Sequence, residues 1–143
     1  MGTPIREMER LFRALGDATR LRILALLATG EVCVCHLHKS LRIPQPKVSR
    51  HLAYLRRAGL VDTRRQGLWV YYRLADTSDA VAKTIRLTVA HALGHLDTVR
   101  QDIGRLQKRT GCCLPEPAGM PEFACCVRQP AKRPAGRDRS LTR

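Results

Sequence analysis

Nowhere does the chain hold about 18 consecutive apolar residues, the run a helix needs to cross a bilayer. The N-terminal MGTPIREMER lacks the apolar core of a secretory signal. The expectation is a soluble, cytoplasmic protein with no membrane partner. CxxC pairs are missing as well, which makes a thiol reductase a poor reading. Neither clustered carboxylates nor a nucleophile beside a base can be found, so the chain is not expected to be an enzyme, and no segment repeats. Acidic residues are scarce: 12 Asp and Glu face 26 Lys and Arg, a formal net charge of +14. That imbalance favours a polyanionic partner, nucleic acid before all others.

What is present suits one ordinary domain, since 143 residues with 44% apolar content can build a core. Residues 1–110 are expected to form it and 111–143 a tail. Thr3 and Pro4 start a helix on which Ile5, Met8, Phe12 and Leu15 recur at helical spacing, and Gly16-Asp17 ends it and caps the next. Leu21, Ile23, Leu24, Leu26 and Leu27 make the second helix apolar nearly all round, which predicts burial, and Gly30 stops it. A third short helix runs from about Val32 to Leu41.

The segment IPQPKVSRHLAYLRRAGLV predicts a fourth helix from about Gln45 to Ala58, with an inward stripe of Val48, Leu52 and Leu55 and a C-terminal cap at Gly59. Two helices joined by RIPQP make a helix-turn-helix. VDTRRQGLWVYYRL, β-branched and aromatic on both sides of Gln66-Gly67, is written as a hairpin. Residues 44–73 hold seven Lys or Arg and one acid, Asp62. A basic helix followed by a basic hairpin predicts a mostly α winged helix-turn-helix that binds double-stranded DNA. Gln45, Lys47, Ser49 and Arg50 are the groove candidates, Arg64 and Arg65 those for backbone or minor groove, and His51 packs or meets a phosphate.

From Ser78 to Arg109 one long helix is expected, about 45 Å in length. Its apolar residues Ile85, Val89, Ala92, Leu96, Val99, Ile103 and Leu106 alternate spacings of four and three. That is a coiled-coil seam, and so a homodimer interface. Beyond Thr110 the chain holds five of its eight prolines, the pairs Cys112-Cys113 and Cys125-Cys126, and a basic end whose composition predicts disorder.

Six cysteines in a reducing compartment point to metal or redox chemistry rather than structural disulfides. Cys33 and Cys35, in EVCVCHLH, are the chief candidates for a soft ion, and a helix start lowers a thiol pKa. Residues i and i+2 of a helix point about 200° apart. Both sulfurs on one ion would therefore distort the first half of the helix-turn-helix, and an ion that selects the distorted form becomes a switch. A third donor is open between His38 and a C-terminal thiol, Cys112, Cys113, Cys125 or Cys126, of either chain. His91 and His95, one turn apart, read as surface histidines beside the seam.

Through LGDATRLRILALL, EVCVCHLHKSL, IPQPKVSRHLAYLRRAGLV and RRQGLWVYYRL, about residues 5 to 108, the sequence resembles the ArsR/SmtB family of metal-responsive winged-helix repressors. The resemblance implies a homodimer that holds operator DNA without ligand and dissociates when an ion binds. EVCVCHLH is similar to the ELCVCDL box of arsenic- and cadmium/lead-responsive members, which implies Cys33 and Cys35 as thiolate ligands and arsenite, with antimonite, cadmium or lead behind it, as inducer. No organic cofactor is implied. His38 stands where one arsenite-sensing branch has a third cysteine, residues 1 to 32 lack the N-terminal cysteines of cadmium/lead sensors, and the zinc pattern of the last helix is not reproduced. A thiol-redox or a cadmium, lead or zinc sensor of the same fold is the alternative.

Overall fold

The computed structural model describes residues 4–108, and the tail expectations, with the four cysteines of that region and Thr3, lie outside them. Six helices and three strands follow in the order α1 (Ile5–Leu15), α2 (Ala18–Leu27), β1 (Val32–Cys33), α3 (Val34–Leu41), α4 (Gln45–Arg57), β2 (Val61–Gln66), β3 (Trp69–Leu74), α5 (Ala80–Leu93) and α6 (Asp97–Gln107). This is the mostly helical winged helix-turn-helix that the sequence predicts.

Pro4 is the N-cap of α1 rather than its first helical residue, and no side chain caps that end. Leu11 and Ala14 form its buried face, with Met8 and Leu15 packed beside them. Ile5 and Phe12, expected on that stripe, are 82% and 57% exposed. Asp17 caps α2 by accepting a hydrogen bond from Arg20 N at 2.9 Å. Five consecutive residues of α2, Ile23 to Leu27, are buried, so this helix is the centre of the core.

The helix-turn-helix is α3 and α4. Arg42 ends α3 in the left-handed region at φ +57°, and Ile43 N bonds back to His38 O at 3.1 Å, a Schellman closure without its usual glycine. Pro44 precedes α4, whose Val48, Leu52 and Leu55 are fully buried, each contributing roughly 1.5–3 kcal/mol of burial. Gly59 at φ +74° and the bond from Leu60 N to Leu55 O at 3.0 Å close α4 with the same motif.

Two expectations are corrected. The helix predicted from Val32 begins at Val34, because Val32 and Cys33 are a short strand paired antiparallel with Tyr72 and Tyr71 of β3. Cys33 is extended at the N-cap (φ −68°, ψ 143°) and only Cys35 is helical. The 200° objection therefore falls: the two thiols meet across a strand–helix junction, and α3 needs no distortion to bring them together. The long C-terminal helix is likewise two helices, broken at Gly94, His95 and Leu96. Glycine weakens a helix interior by about 1 kcal/mol, and the break lets α6 fold back on α2 and α3. Val99 and Leu106, expected in an intermolecular seam, are buried within the chain itself, and Ile103 packs on the same core.

The sheet has the order β1-β3-β2. The hairpin turn is Gly67-Leu68, one residue later than predicted, since Gln66 pairs with Trp69 and Gly67 has φ +59°.

Candidate DNA interface and thiol site

The N-terminal half of α4 offers a polar face. Gln45, Lys47 and Arg50 are exposed and Ser49 is half-buried on the helix whose opposite face enters the core. His51 is half-buried with Nδ1 3.6 Å from Asp17 Oδ1, so it turns toward the cap of α2 rather than outward. Burial works against the Asp17 charge, but the backbone hydrogen bond and positive charge of Arg20, with His51, hold its carboxyl below the usual range. On the wing, Arg65 is exposed. Arg64, expected on the DNA backbone or in the minor groove, is engaged within the chain: its Nε lies 3.0 Å from Glu31 Oε1, its second terminal nitrogen bonds the same oxygen, and the other terminal nitrogen bonds Gln66 Oε1 at 2.9 Å. Its guanidinium also stacks over Tyr71, 4.8 Å from the ring centroid.

The thiols are a built pair. Cys33 is 1% exposed and Cys35 half-buried, and with Tyr71, Val34 and Trp69 they form a small cluster apart from the main core. Their side chains are hydrogen bonded to each other. The Cys33 thiol donates to the Cys35 sulfur, which brings the Cys35 pKa down to about 6, with further help from the charge of Lys39 and its own backbone amide against the opposing effect of burial. Cys33 moves the other way, held protonated by that bond and by burial. Cys35 also occupies the first turn of α3, where unpaired amides favour an anion. One proton shared by two soft sulfurs is the arrangement a thiophilic cation displaces.

Among the described residues no group of three His, Cys, Asp or Glu is gathered for a metal ion. His38 shares α3 with Cys35 but is not brought with the thiols into such a group. His91 and His95 stand edge to face, ring centroids 5.5 Å apart, and both are exposed. Of the expected interface residues, Ala92 is exposed, Leu96 is 52% exposed, Ile85 and Val89 are half-buried, and Val99 is closed off.

Sequence reasoning missed an ion cluster that ties α6 to the reading head. Asp102, 0% exposed, accepts from Arg22 Nε at 2.7 Å and from a second Arg22 nitrogen at 2.9 Å, and it also pairs with Arg105. The same arginines cap α3: Arg22 donates to Leu41 O at 3.0 Å and Arg105 to Ser40 O at 2.6 Å. An acid and a basic residue at i, i+3 on a helix, Asp102 and Arg105, was the available signal, but Arg22 lies 80 residues away. Glu31 and Tyr71 were missed for the same reason, their partners being distant in sequence.

Residues 17–63 match the family described as bacterial regulatory protein, arsR family. The arsenic resistance transcriptional regulator ArsR1 of Pseudomonas putida is 55% identical over 65 residues, 45% of this chain and 51% of that protein. The arsenical resistance operon repressor of Escherichia coli K12 is 52% identical over 77 residues, 53% of this chain and 66% of the relative. Among solved structures, the homodimeric winged helix-turn-helix domain of a possible ArsR-family regulator from Mycobacterium bovis superposes with a TM-score of 0.54 at 34% identity, over 65% of this chain and 84% of that one. A reading head, a wing and an arsR-type segment in one chain, with relatives of this identity and coverage, establish that the protein belongs to the ArsR family of transcriptional regulators.

Proposed function

We propose that the chain is a homodimeric repressor that holds operator DNA through α4 and the wing and releases it when trivalent arsenic, or a similar soft ion, binds Cys33 and Cys35. The hydrogen-bonded thiol pair at the entrance of α3 carries this reading. Arsenite arrives as As(OH)₃, the two sulfurs replace two hydroxyls, and these leave as two waters with the proton held by the pair and one taken from solvent. Antimonite, cadmium or lead would use the same sulfurs, and His38 or one of Cys112, Cys113, Cys125 and Cys126 would supply a third donor. Gln45, Lys47, Ser49 and Arg50 face the major groove, and Arg65 meets a flanking phosphate. The protein acts in the cytoplasm. Two relatives whose names refer to arsenic resistance support the choice of ion.

The test is a Cys33→Ser, Cys35→Ser double variant in an operator-binding assay with arsenite. It should bind operator as the native chain does and stay bound. If the variant still dissociates at the native arsenite concentration, the site is elsewhere. Because the two cysteines share one cluster, a second reading is a redox switch, in which peroxide takes two electrons from the pair and, with the proton held there and one from solvent, leaves a disulfide and two waters. Release by peroxide alone, reversed by a dithiol reductant, would favour that reading over the first.

A further inference from the structure

Three residues stand in one row across the sheet: Cys33 of β1 pairs with Tyr71 of β3, and Tyr71 pairs with Arg64 of β2. The thiol and the wing cation are thus the two neighbours of a single buried tyrosine. Side chains repeat the backbone link, since Tyr71 packs on Cys33 on one side and lies under the Arg64 guanidinium on the other. Glu31, two residues before Cys33, closes the circuit by bonding Arg64 through two of its nitrogens. A segment of five residues, Glu31 to Cys35, therefore holds both the proposed ion site and the acid that restrains the wing.

From these contacts we propose that Glu31 and Tyr71 are positioning residues that carry the occupancy of the thiol pair to Arg64. The inference rests on the reading of Cys33 and Cys35 as the inducer site. An ion that replaces the shared proton must bring both sulfurs to itself, and the resulting displacement can leave by either end of the junction. On the helical side, the C-terminal carbonyls of α3 are held by Arg22 and Arg105, which are fixed in turn by buried Asp102. On the sheet side, the wing is held by a partly exposed ion pair, more open to solvent than the one to Asp102 and the weaker of the two restraints. The sheet side yields, so Tyr71 and Glu31 move with Cys33 and Arg64 moves with them. With Arg64 goes β2, which also bears Arg65. The recognition helix need not leave its register for operator affinity to fall.

The experiment uses the full chain and Glu31→Gln, Arg64→Gln and double variants. Three quantities are read: protection of Cys35 from alkylation by arsenite, the ratio of operator Kd with and without saturating arsenite, and the salt dependence of operator binding. Glu31→Gln should keep native thiol protection while its Kd ratio shrinks by about fivefold or more. Freed Arg64 should reach a phosphate in each half-site, steepening the slope of log K on log salt by about 1.8 per dimer. The double variant should lose that added slope, and Arg64→Gln alone should lower the ratio without steepening. Protected thiols with native ratio and slope in Glu31→Gln would overturn the coupling alone. A native chain showing neither protection nor release would instead remove the thiol reading, and the coupling with it.

Discussion

Cys33 and Cys35 have the same side chain and opposite tasks, and backbone conformation separates them. Cys33, extended and buried, keeps its proton, and Cys35, in the first turn of a helix beside Lys39, gives its proton up near pH 6. An ordinary thiol titrates near about 8.5. Between the two values the unfolded pair binds more protons than the native pair, so stability should rise with pH from about 6 to about 8.5. Above that, the native pair retains the Cys33 proton that the unfolded chain releases, and stability should fall again. Urea unfolding across that range, compared with the double serine variant, checks both signs. Alkylation followed by mass spectrometry should find Cys35 reactive with a midpoint near pH 6 and Cys33 protected. A single midpoint near 8.5 for both sulfurs would contradict the pairing. Arg64 shows how far a residue can be read from sequence alone. Its place on a basic hairpin was visible, but its engagement by Glu31, 33 positions earlier, was not.

Elements with strong local signals were legible: α2 from its apolar density and Asp17, α4 from Pro44, its stripe and Gly59, and the hairpin from its β-branched and aromatic flanks. Those that failed depend on distant partners. Strand β1 is two residues long and exists only because β3, some 40 residues later, offers it backbone groups. The seam from Ile85 to Leu106 kept heptad spacing through the break because α5 and α6 each pack an apolar stripe, and Gly94 was the one sign of a boundary. What fixes α6 is Asp102, a buried carboxylate that faces two arginines. Removing one partner of such a cluster leaves uncompensated buried charge, which typically costs about 3–5 kcal/mol. Asp102→Asn should lower stability by that order in chemical denaturation. It should also loosen Ser40 and Leu41 at the end of α3, seen as faster amide exchange in the residues that follow. A loss below about 0.5 kcal/mol, the scale of ordinary surface substitutions, would mean that the arginines find other acceptors.

Across the whole molecule, apolar side chains remain outside the core on two helices. Ile5 and Phe12 lie on α1, and Val81 and Leu87, the latter 50% exposed, on α5. The two helices are neighbours, since Met8 and Leu11 of α1 line one cavity of about 250 Å³ with Ala82 of α5. A homodimer that uses these helices, instead of the single seam first expected, would cover both sets. Leu87→Asp should then shift the protein to monomer in sedimentation and weaken operator binding by about 10²-fold or more, as two half-sites lose their linkage. A variant that remains dimeric would move the interface to another face. The thiol cluster, finally, has an optical consequence. Trp69 is the one tryptophan in the chain, and it packs half-buried against Cys33 and Tyr71. Indole emission depends on the polarity and the sulfur chemistry of its surroundings, so the protein carries its own lamp beside the two sulfurs, and no dye has to be attached to watch them.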